Sequence, residues 1–405
     1  MTEILFATLI FVLFILALSA LVLATRRVLR PGGSVDITLN GTKILSGSPG
    51  STLLEALLTG NVAVPAACGG KGSCGLCRVK VPQGGGPLLQ TETDRLSRTE
   101  QQDHLRLACQ VRLRGDVSVL VDPALLDVTT YSCRVQSSIN LTPTIKEIVI
   151  DLPTGWDFEF RPGDFVLITA PPFRMNFDGI EIAPEHQADW IKTGLSNRTV
   201  ETTQPVTRAY SIANRPEDRG RIVLNIRLAL PPPAKPHLPP GLMSSWLFGL
   251  KQGDEVKVSG PFGEFHVQPG DAEIVCVAGG VGMAPIRAII HDEVTRNPDR
   301  KISFFYGARS TRDLFYASEF EALEQLMPNF GWIPALSEPN EATHWPGAVG
   351  FIHDALIRDH LDIHSEPEAC EYYLCGPPLM IRAVIAALNE AGVDRDQIFF
   401  DDFGG

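Results

Sequence analysis

Read for the spacing of apolar and polar positions, the chain changes texture several times. Residues 5–24, LFATLIFVLFILALSALVLA, are apolar on every face and carry no charge. A helix of that length rises ~30 Å, the thickness of a bilayer's hydrocarbon core. Glu3 precedes the run, and Arg26, Arg27 and Arg30 follow it. A cleavable signal would carry its positive charge before a shorter apolar run. The order here predicts an uncleaved N-terminal transmembrane helix with everything after it on the cytoplasmic side. Pro31-Gly32-Gly33 then ends the helix in a short hinge.

Beyond the hinge, alternating segments at Ser34–Leu39 and Lys43–Leu45 flank Asn40-Gly41, a hairpin signal. Ser51 is placed to cap a short helix, TLLEALLTG, that stops at Gly60. A strand at Asp116–Val121 closes this region. Further on, SCRVQSSINL, IKEIVIDL, DFVLITA and GRIVLNIRLAL read as strands broken by turns such as Arg161-Pro162-Gly163-Asp164. They predict a small antiparallel barrel. A long polar insert, 172–206, with Trp190 and several acids, interrupts it; such a loop in a compact domain is functional or mobile. After residue 268, apolar strands (AEIVCVAGG, ISFFYGARS, FGWIPALSE, EYYLCGPPL) alternate with helices such as VGMAPIRAIIHDEVTR. That alternation predicts a parallel sheet. The fold class is multidomain, α/β and β. Residues 1–33 form an anchor and hinge, 34–129 a first domain, 130–268 the barrel and 269–405 the α/β domain.

Composition adds little until the cysteines. The 405 residues exceed one ordinary core, and 44% hydrophobic with 20% charged is globular. A formal charge of −12 excludes a phosphate backbone as partner, since such binding runs on clustered Lys and Arg. Of the eight cysteines, Cys68, Cys74, Cys77 and Cys109 cluster, while Cys133, Cys276, Cys370 and Cys375 are scattered. That distribution suits a reducing compartment and one metal site better than disulfides. Cys133, Cys276 and Cys370 are read as buried apolar residues without a role. The clustered four follow C-x5-C-x2-C-x31-C, in a loop where Gly69, Gly70, Gly72 and Gly75 permit positive φ. Three close thiols and a distant fourth suit a two-iron cluster, whose sulfurs the loop's N–H groups can reach. Structural zinc is the alternative, but zinc sites usually pair two short spacings.

Other motifs are weaker singly. In Arg208-Ala209-Tyr210-Ser211 the guanidinium can grip a pyrophosphate, the ring can lie on a flavin face and the hydroxyl can bond near the reactive ring nitrogen. The segment 241–247, GLMSSWL, looks like a turn opening a helix, where N–H groups favour phosphate; a simply capped helix is the bland alternative. GGVGMAP misses the G-x-G-x-x-G fingerprint but sits in the right strand–turn–helix setting. Cys375-Gly376-Pro377-Pro378 puts a thiol at a strand tip, against the alternative of a buried structural cysteine. The chain ends in FFDDFGG, with an aromatic at Phe403.

On these residues the first domain resembles the plant-type and vertebrate-type ferredoxins, whose β-grasp fold holds a [2Fe–2S] cluster. The plant-type spacing has four residues between the first two ligands, against five here. The rest resembles the ferredoxin–NADP reductase family, in which R-x-Y-S binds FAD on a six-stranded barrel and a Rossmann-like domain takes the nucleotide. The resemblance implies that Arg208 holds pyrophosphate, Tyr210 stacks on the isoalloxazine and Ser211 bonds near N5. Gly241, Met243, Ser244 and Ser245 would complete the phosphate site. Gly279, Gly280, Gly282, Pro285, Cys375, Gly376 and Pro377 would line the nicotinamide site, with Cys375 beside the ring and Phe403 over the flavin. Ser211, Cys375 and Phe403 are thus the candidate catalytic residues, and Cys68, Cys74, Cys77 and Cys109 the iron ligands.

Taken in order, the whole resembles the family of F subunits of bacterial sodium-translocating NADH:quinone reductases, on its anchor, cysteine spacing, insert and FDDFGG end. That implies NADH oxidation by hydride transfer to FAD, then single electrons through the [2Fe–2S] cluster to partner subunits that reduce ubiquinone and export sodium at the bacterial inner membrane. Flavin belongs between a two-electron donor and a one-electron acceptor. A single apolar helix offers no ion path of its own. The rival reading is the reductase component of a multicomponent oxygenase; another is a tethered binding protein on a flavoprotein fold. Arg309 and Arg312 follow ISFFYGA, where a 2′-phosphate could be read, so the sequence leaves NADH against NADPH open.

Overall fold

The computed structural model describes residues 2–28, 33–66, 68–126, 128–232, 234–235, 237–339 and 345–402. Phe403 and most of the Pro31-Gly32-Gly33 hinge lie outside them. The described residues form two compact units, Met1–Val64 with Cys77–Asp127, and Pro65–Leu76 with Val128–Gly405.

The first unit opens with the helix Thr2–Val28, in which every described side chain is exposed. Among the described residues no helix is long and apolar enough to cross a membrane. Strands β1 (Val35–Leu39), β2 (Lys43–Gly47), β3 (Arg78–Gln83), β4 (Leu105–Leu107) and β5 (Val117–Leu120) form a mixed sheet of order β2-β1-β5-β3-β4. The β1–β2 turn uses Asn40 and Gly41 at φ 50° and 74°, as the hairpin signal requires. The short helix runs Leu53–Thr59, and its cap is Thr52 rather than Ser51. Thr52 Oγ1 accepts from the Glu55 N–H at 3.1 Å and the Glu55 carboxylate accepts from the Thr52 N–H at 3.0 Å. That reciprocal box needs a hydroxyl three residues before an acid, which Ser51 lacks. Ser51 instead donates to the Ser48 carbonyl. Beneath β4, Glu92 and Arg106 form a buried pair at 2.7 Å. Arg106 also donates to the Gly85, Gly86 and Pro87 carbonyls, and Glu92 accepts from the Leu107 N–H. The pair is fully satisfied and fastens β4, which leads into Cys109.

In the second unit, β6 (Thr130–Thr142), β7 (Ile145–Asp151), β8 (Phe165–Ala170), β9 (Phe173–Asn176), β10 (Thr199–Thr202), β11 (Val206–Ser211), β12 (Arg221–Arg227) and β13 (Glu255–Phe262) follow in order. Six of them make an antiparallel sheet, β11-β8-β13-β6-β7-β12, and an Ile212–Leu224 bridge joins its two ends into a barrel. The 172–206 insert is not an open loop. β9 and β10 pair, a helix spans Pro184–Lys192, and Trp190 is 3% exposed. Its indole stacks on Phe248 and donates to the Pro143 carbonyl at 2.6 Å. Phe177, Ile180, Leu195 and Val200 join the same barrel core, so the insert folds because it buries apolar area of its own.

The last strands, β14 (Ile274–Gly279), β15 (Ile302–Ala308), β16 (Phe330–Leu336), β17 (Ala348–Val349), β18 (Glu371–Gly376) and β19 (Ile398–Asp402), form a parallel sheet of order β17-β16-β15-β14-β18-β19. β14 and β18 are buried along their whole length, as strands covered by helices on both faces must be. The strand order reverses between β14 and β18, which opens a crevice at their carboxyl ends.

Candidate active site

At that crevice the chain leaves β14 through Gly280–Gly282 into the helix Met283–Arg296. Gly280 takes φ 56°, and its carbonyl accepts from Tyr306 Oη at 3.2 Å. Gly282 packs on the Cys375 carbonyl so closely that a Cβ there would overlap it. A Cβ on Gly376 would stand 2.9 Å from the Gly279 carbonyl oxygen. Gly279, Gly280, Gly282, Cys375 and Gly376 are therefore brought together from two neighbouring strands. Pro377 precedes the helix Pro378–Glu390, and Pro285 is buried in the first turns of the other helix. Cys375 is fully buried in the crevice wall rather than raised at an open tip.

Arg208, Tyr210 and Ser211 lie on β11, paired to Ile168, Val166 and Phe165 of β8. Arg208 donates to the Thr207 carbonyl, and among the described residues no carboxylate pairs with it. Burial works against its charge, partly offset by Tyr210, Cys68 and Cys74. A half-buried guanidinium without a counter-ion fits a phosphate group. Burial also raises the Tyr210 phenol, so its ring is presented neutral. The loop carrying Cys68 lies against Arg208, since a Cβ on Gly69 would overlap the guanidinium. At the helix Leu242–Phe248 the hydroxyls are already spent. Ser244 Oγ accepts from the Ala229 N–H and donates to the Gly241 carbonyl, as does Ser245 Oγ. Met243 is 3% exposed and packs into the barrel core. Ser245 N–H is also spent, on the Gly241 carbonyl at 3.0 Å, so this turn can serve a phosphate only through the backbone N–H groups of 242–244 and not through side chains.

The sequence reading missed the clamp between barrel and parallel sheet. Arg287 makes a bidentate pair with Glu319 at 2.6 and 2.8 Å and donates to the Ala213 carbonyl at 2.7 Å. Its guanidinium lies 4.3 Å over the Tyr316 ring, and Tyr316 Oη donates to Glu147 and accepts from Asn225. Burial would raise the Glu319 carboxyl, but His291 and Arg287 outweigh it and hold it at about 2. Glu147, Ala213 and Asn225 belong to the barrel side, so the cluster sets the two halves in register. No motif signals it, because its members come together only in the fold. Arg312, one of the two arginines that could read a 2′-phosphate, is bound to Asp189 of the insert at 2.6 Å. Arg309 stays exposed, 3.8 Å from Asp313.

All four clustered cysteines are buried and none is in a disulfide. In the second unit, Cys68 and Cys74 bring their sulfurs to 3.3 Å. The Cys74 thiol donates to Cys68, which holds the Cys68 thiol down at about 3 and pushes Cys74 up. Gly69, Gly70, Gly72 and Gly75 all take positive φ, 67° to 87°. Ser73 Oγ is buried beside Cys68, and its hydroxyl helps hold that thiol down. In the first unit the Cys77 carbonyl accepts from the Ala108 N–H at 2.8 Å, and Gln110 Nε2 stands 3.2 Å from Cys109 Sγ. Buried thiols, a positive-φ loop and a hydroxyl directed at a sulfur fit an iron–sulfur cluster.

Residues 37–114 match the 2Fe-2S iron-sulfur cluster binding domain family, 194–267 the oxidoreductase FAD-binding domain and 276–385 the oxidoreductase NAD-binding domain. The four thiols, the Arg208–Ser211 strand and the Gly279–Cys375 crevice each fall inside the corresponding match. Fold and site define an NAD- and FAD-dependent iron–sulfur oxidoreductase. Among solved structures, the chain is similar to an Amycolatopsis cytochrome P450 reductase, with TM-score 0.61 and 26% identity over 91% of this chain and 98% of that one. It is also similar to the ferredoxin reductase in carbazole 1,9a-dioxygenase, with TM-score 0.58 and 25% identity over 92% and 98%. Similarity is greater to the F subunit of the Na(+)-translocating NADH-quinone reductase of Psychrobacter cryohalolentis, 44% identical over 98% of this chain and 97% of that protein. Its counterpart in Neisseria meningitidis serogroup C is 43% identical over the full length of both. The chain belongs to the family of Na(+)-translocating NADH-quinone reductase F subunits.

Proposed function

We propose that this chain is the electron entry of a membrane respiratory complex, oxidising NADH and delivering single electrons to partner subunits that reduce ubiquinone and export sodium. One observation carries the reading: a single compact unit holds the nucleotide crevice, the Arg208–Ser211 strand and the loop bearing Cys68 and Cys74. Bound FAD supplies the exchange from a two-electron donor to a one-electron acceptor.

The chain's own residues bind, orient and exclude water. Arg208 and the N–H groups of 242–244 hold the pyrophosphate, Tyr210 covers the isoalloxazine and Ser211 bonds near N5. Gly279, Gly280, Gly282 and Gly376 let backbone approach the nucleotide, and buried Cys375 packs beside the nicotinamide. Phe403, outside the described residues, is the aromatic that the resemblance assigns to the flavin face. The Arg287–Glu319–Tyr316 clamp keeps that alignment, on which hydride transfer depends steeply. Cys68, Cys74, Cys77 and Cys109 hold the [2Fe–2S] cluster. Helix Thr2–Val28 anchors the chain once in the bacterial inner membrane with the remainder cytoplasmic; the uncharged run 5–24 and the arginines after it support this. Arg312's engagement by Asp189 favours NADH over NADPH.

The test is NADH:quinone reductase activity in native membranes with and without this chain, at varied sodium. Loss of a sodium-stimulated activity supports the assignment. Survival of that activity without the chain would make it an anchored flavin reductase for another acceptor, with an oxygenase next to be tried.

A further inference from the structure

At the amino ends of β14 and β18, on the sheet end opposite the nucleotide crevice, three donor groups of different chemistry converge. Glu273 and Cys370 immediately precede the two strands, which pair Ile274 to Glu371. His360 comes from a π-helical turn, Ile357–Leu361, a local distortion often found at functional sites. One donor atom from each lies within 4.8 Å of the others, and His360 and Cys370 are 5% and 1% exposed.

Cys370 Sγ lies 3.9 Å from the Glu366 carbonyl, to which it donates, and 4.0 Å from His364 Nε2. Tyr372 spends its one phenolic proton on the Pro367 carbonyl at 2.8 Å. Toward His360 Nε2, 3.4 Å away, it can therefore only accept. With the His360 proton on Nε2, as that contact favours, the Nδ1 lone pair faces Glu273 Oε1 at 4.0 Å. In that tautomer two acceptors face each other, an arrangement that a cation between them relieves. Ser303 donates to Glu273 Oε1 and Lys301 pairs with Oε2. His364 has its Nδ1 accepting from the Glu366 N–H, so its Nε2–H donates to Glu273 Oε2 at 3.2 Å. His364 thus orients the carboxylate and does not present a lone pair. Such outer partners are how metal ligands are aimed.

We propose that Glu273, His360 and Cys370 bind a zinc ion, with water in the fourth position. One imidazole, one thiol and one carboxylate match tetrahedral zinc, while hard cations would want more oxygens. Binding displaces the Cys370 proton to solvent and forms a thiolate–metal bond. The ion ties the π-helical turn to two strand starts, a structural staple remote from hydride transfer. Lys301 shifts outward or stays on Oε2, since Oε1 faces the site.

The test uses the detergent-solubilised full chain with FAD and cluster loaded, saturated with Zn²⁺ and desalted, with zinc and iron counted separately by elemental mass spectrometry. About one zinc per chain is expected, falling at least tenfold in H360A and C370S, with iron, FAD and NADH-dependent flavin reduction unchanged. H364A, which removes an orienting partner and no ligand, should lose less zinc than either ligand variant. Zinc below a tenth per chain in the wild type, or unchanged in both variants, would overturn the site. Should the variants misfold, Co²⁺ added to zinc-free wild type decides: a thiolate-to-cobalt charge-transfer band supports the site, and its absence overturns it.

Discussion

The cluster loop and the nucleotide turn are both glycine-rich, and they use glycine for opposite reasons. In the cluster loop, Gly69, Gly70, Gly72 and Gly75 all have φ between 67° and 87°, and the binding groups are side-chain thiols. In the nucleotide turn, Gly279 and Gly282 have ordinary negative φ, −154° and −61°, and only Gly280 needs the left-handed region. There the groups proposed to bind are backbone, and Gly282 is required because a Cβ would meet the Cys375 carbonyl. The first turn needs conformational freedom; the second needs a missing side chain. One property is local, and the other exists only once β18 lies beside β14.

The largest effect expected is at the first turn's chemistry. Cys68→Ala should abolish the cluster's electron-paramagnetic-resonance signal while NADH still reduces the flavin. Loss of both would mean the thiol loop and the reductase site do not work separately. Gly282→Ala comes next, because the obstructing atom is backbone and cannot swing away. Stopped-flow flavin reduction should slow by roughly 100-fold with FAD content kept, since small misplacements cost that much. A near-normal rate would remove the steric reading of this turn.

The supports behind each turn should differ in kind. Glu92→Gln leaves buried Arg106 uncompensated and should cost about 3–5 kcal/mol in urea unfolding of the first unit. Glu319 behaves through pH. Its carboxyl is held at about 2, below its ordinary 4.5, so its stabilisation is complete above pH 4.5 and is lost as pH falls toward 2. Glu319→Gln should flatten that acid limb; an unchanged slope would put the protons elsewhere. The smallest effect is Gly280→Ala, where space is open and only φ 56° is strained, about 1–2 kcal/mol by thermal melt. If it proved as damaging as Gly282→Ala, the contrast between the turns would fail.

Periodicity, covalent spacing and turn chemistry are properties of neighbouring residues, and the chain order alone determined them: the apolar run 5–24, the Asn40-Gly41 hairpin, the C-x5-C-x2-C loop, the barrel strands and the β–α alternation. The cap was misplaced by one residue because Ser51 and Thr52 both qualify until Glu55 is seen to answer only Thr52. Only the tertiary structure decided that the 172–206 insert folds around Trp190, that Ser244 and Ser245 spend their hydroxyls on Gly241, that Arg287 locks onto Glu319 and that Cys370 stands beside His360 and Glu273. In each case the deciding quantity is which distant group fills a side chain's last hydrogen bond or its last face of apolar area. Packing sets that, and no spacing along the chain encodes it.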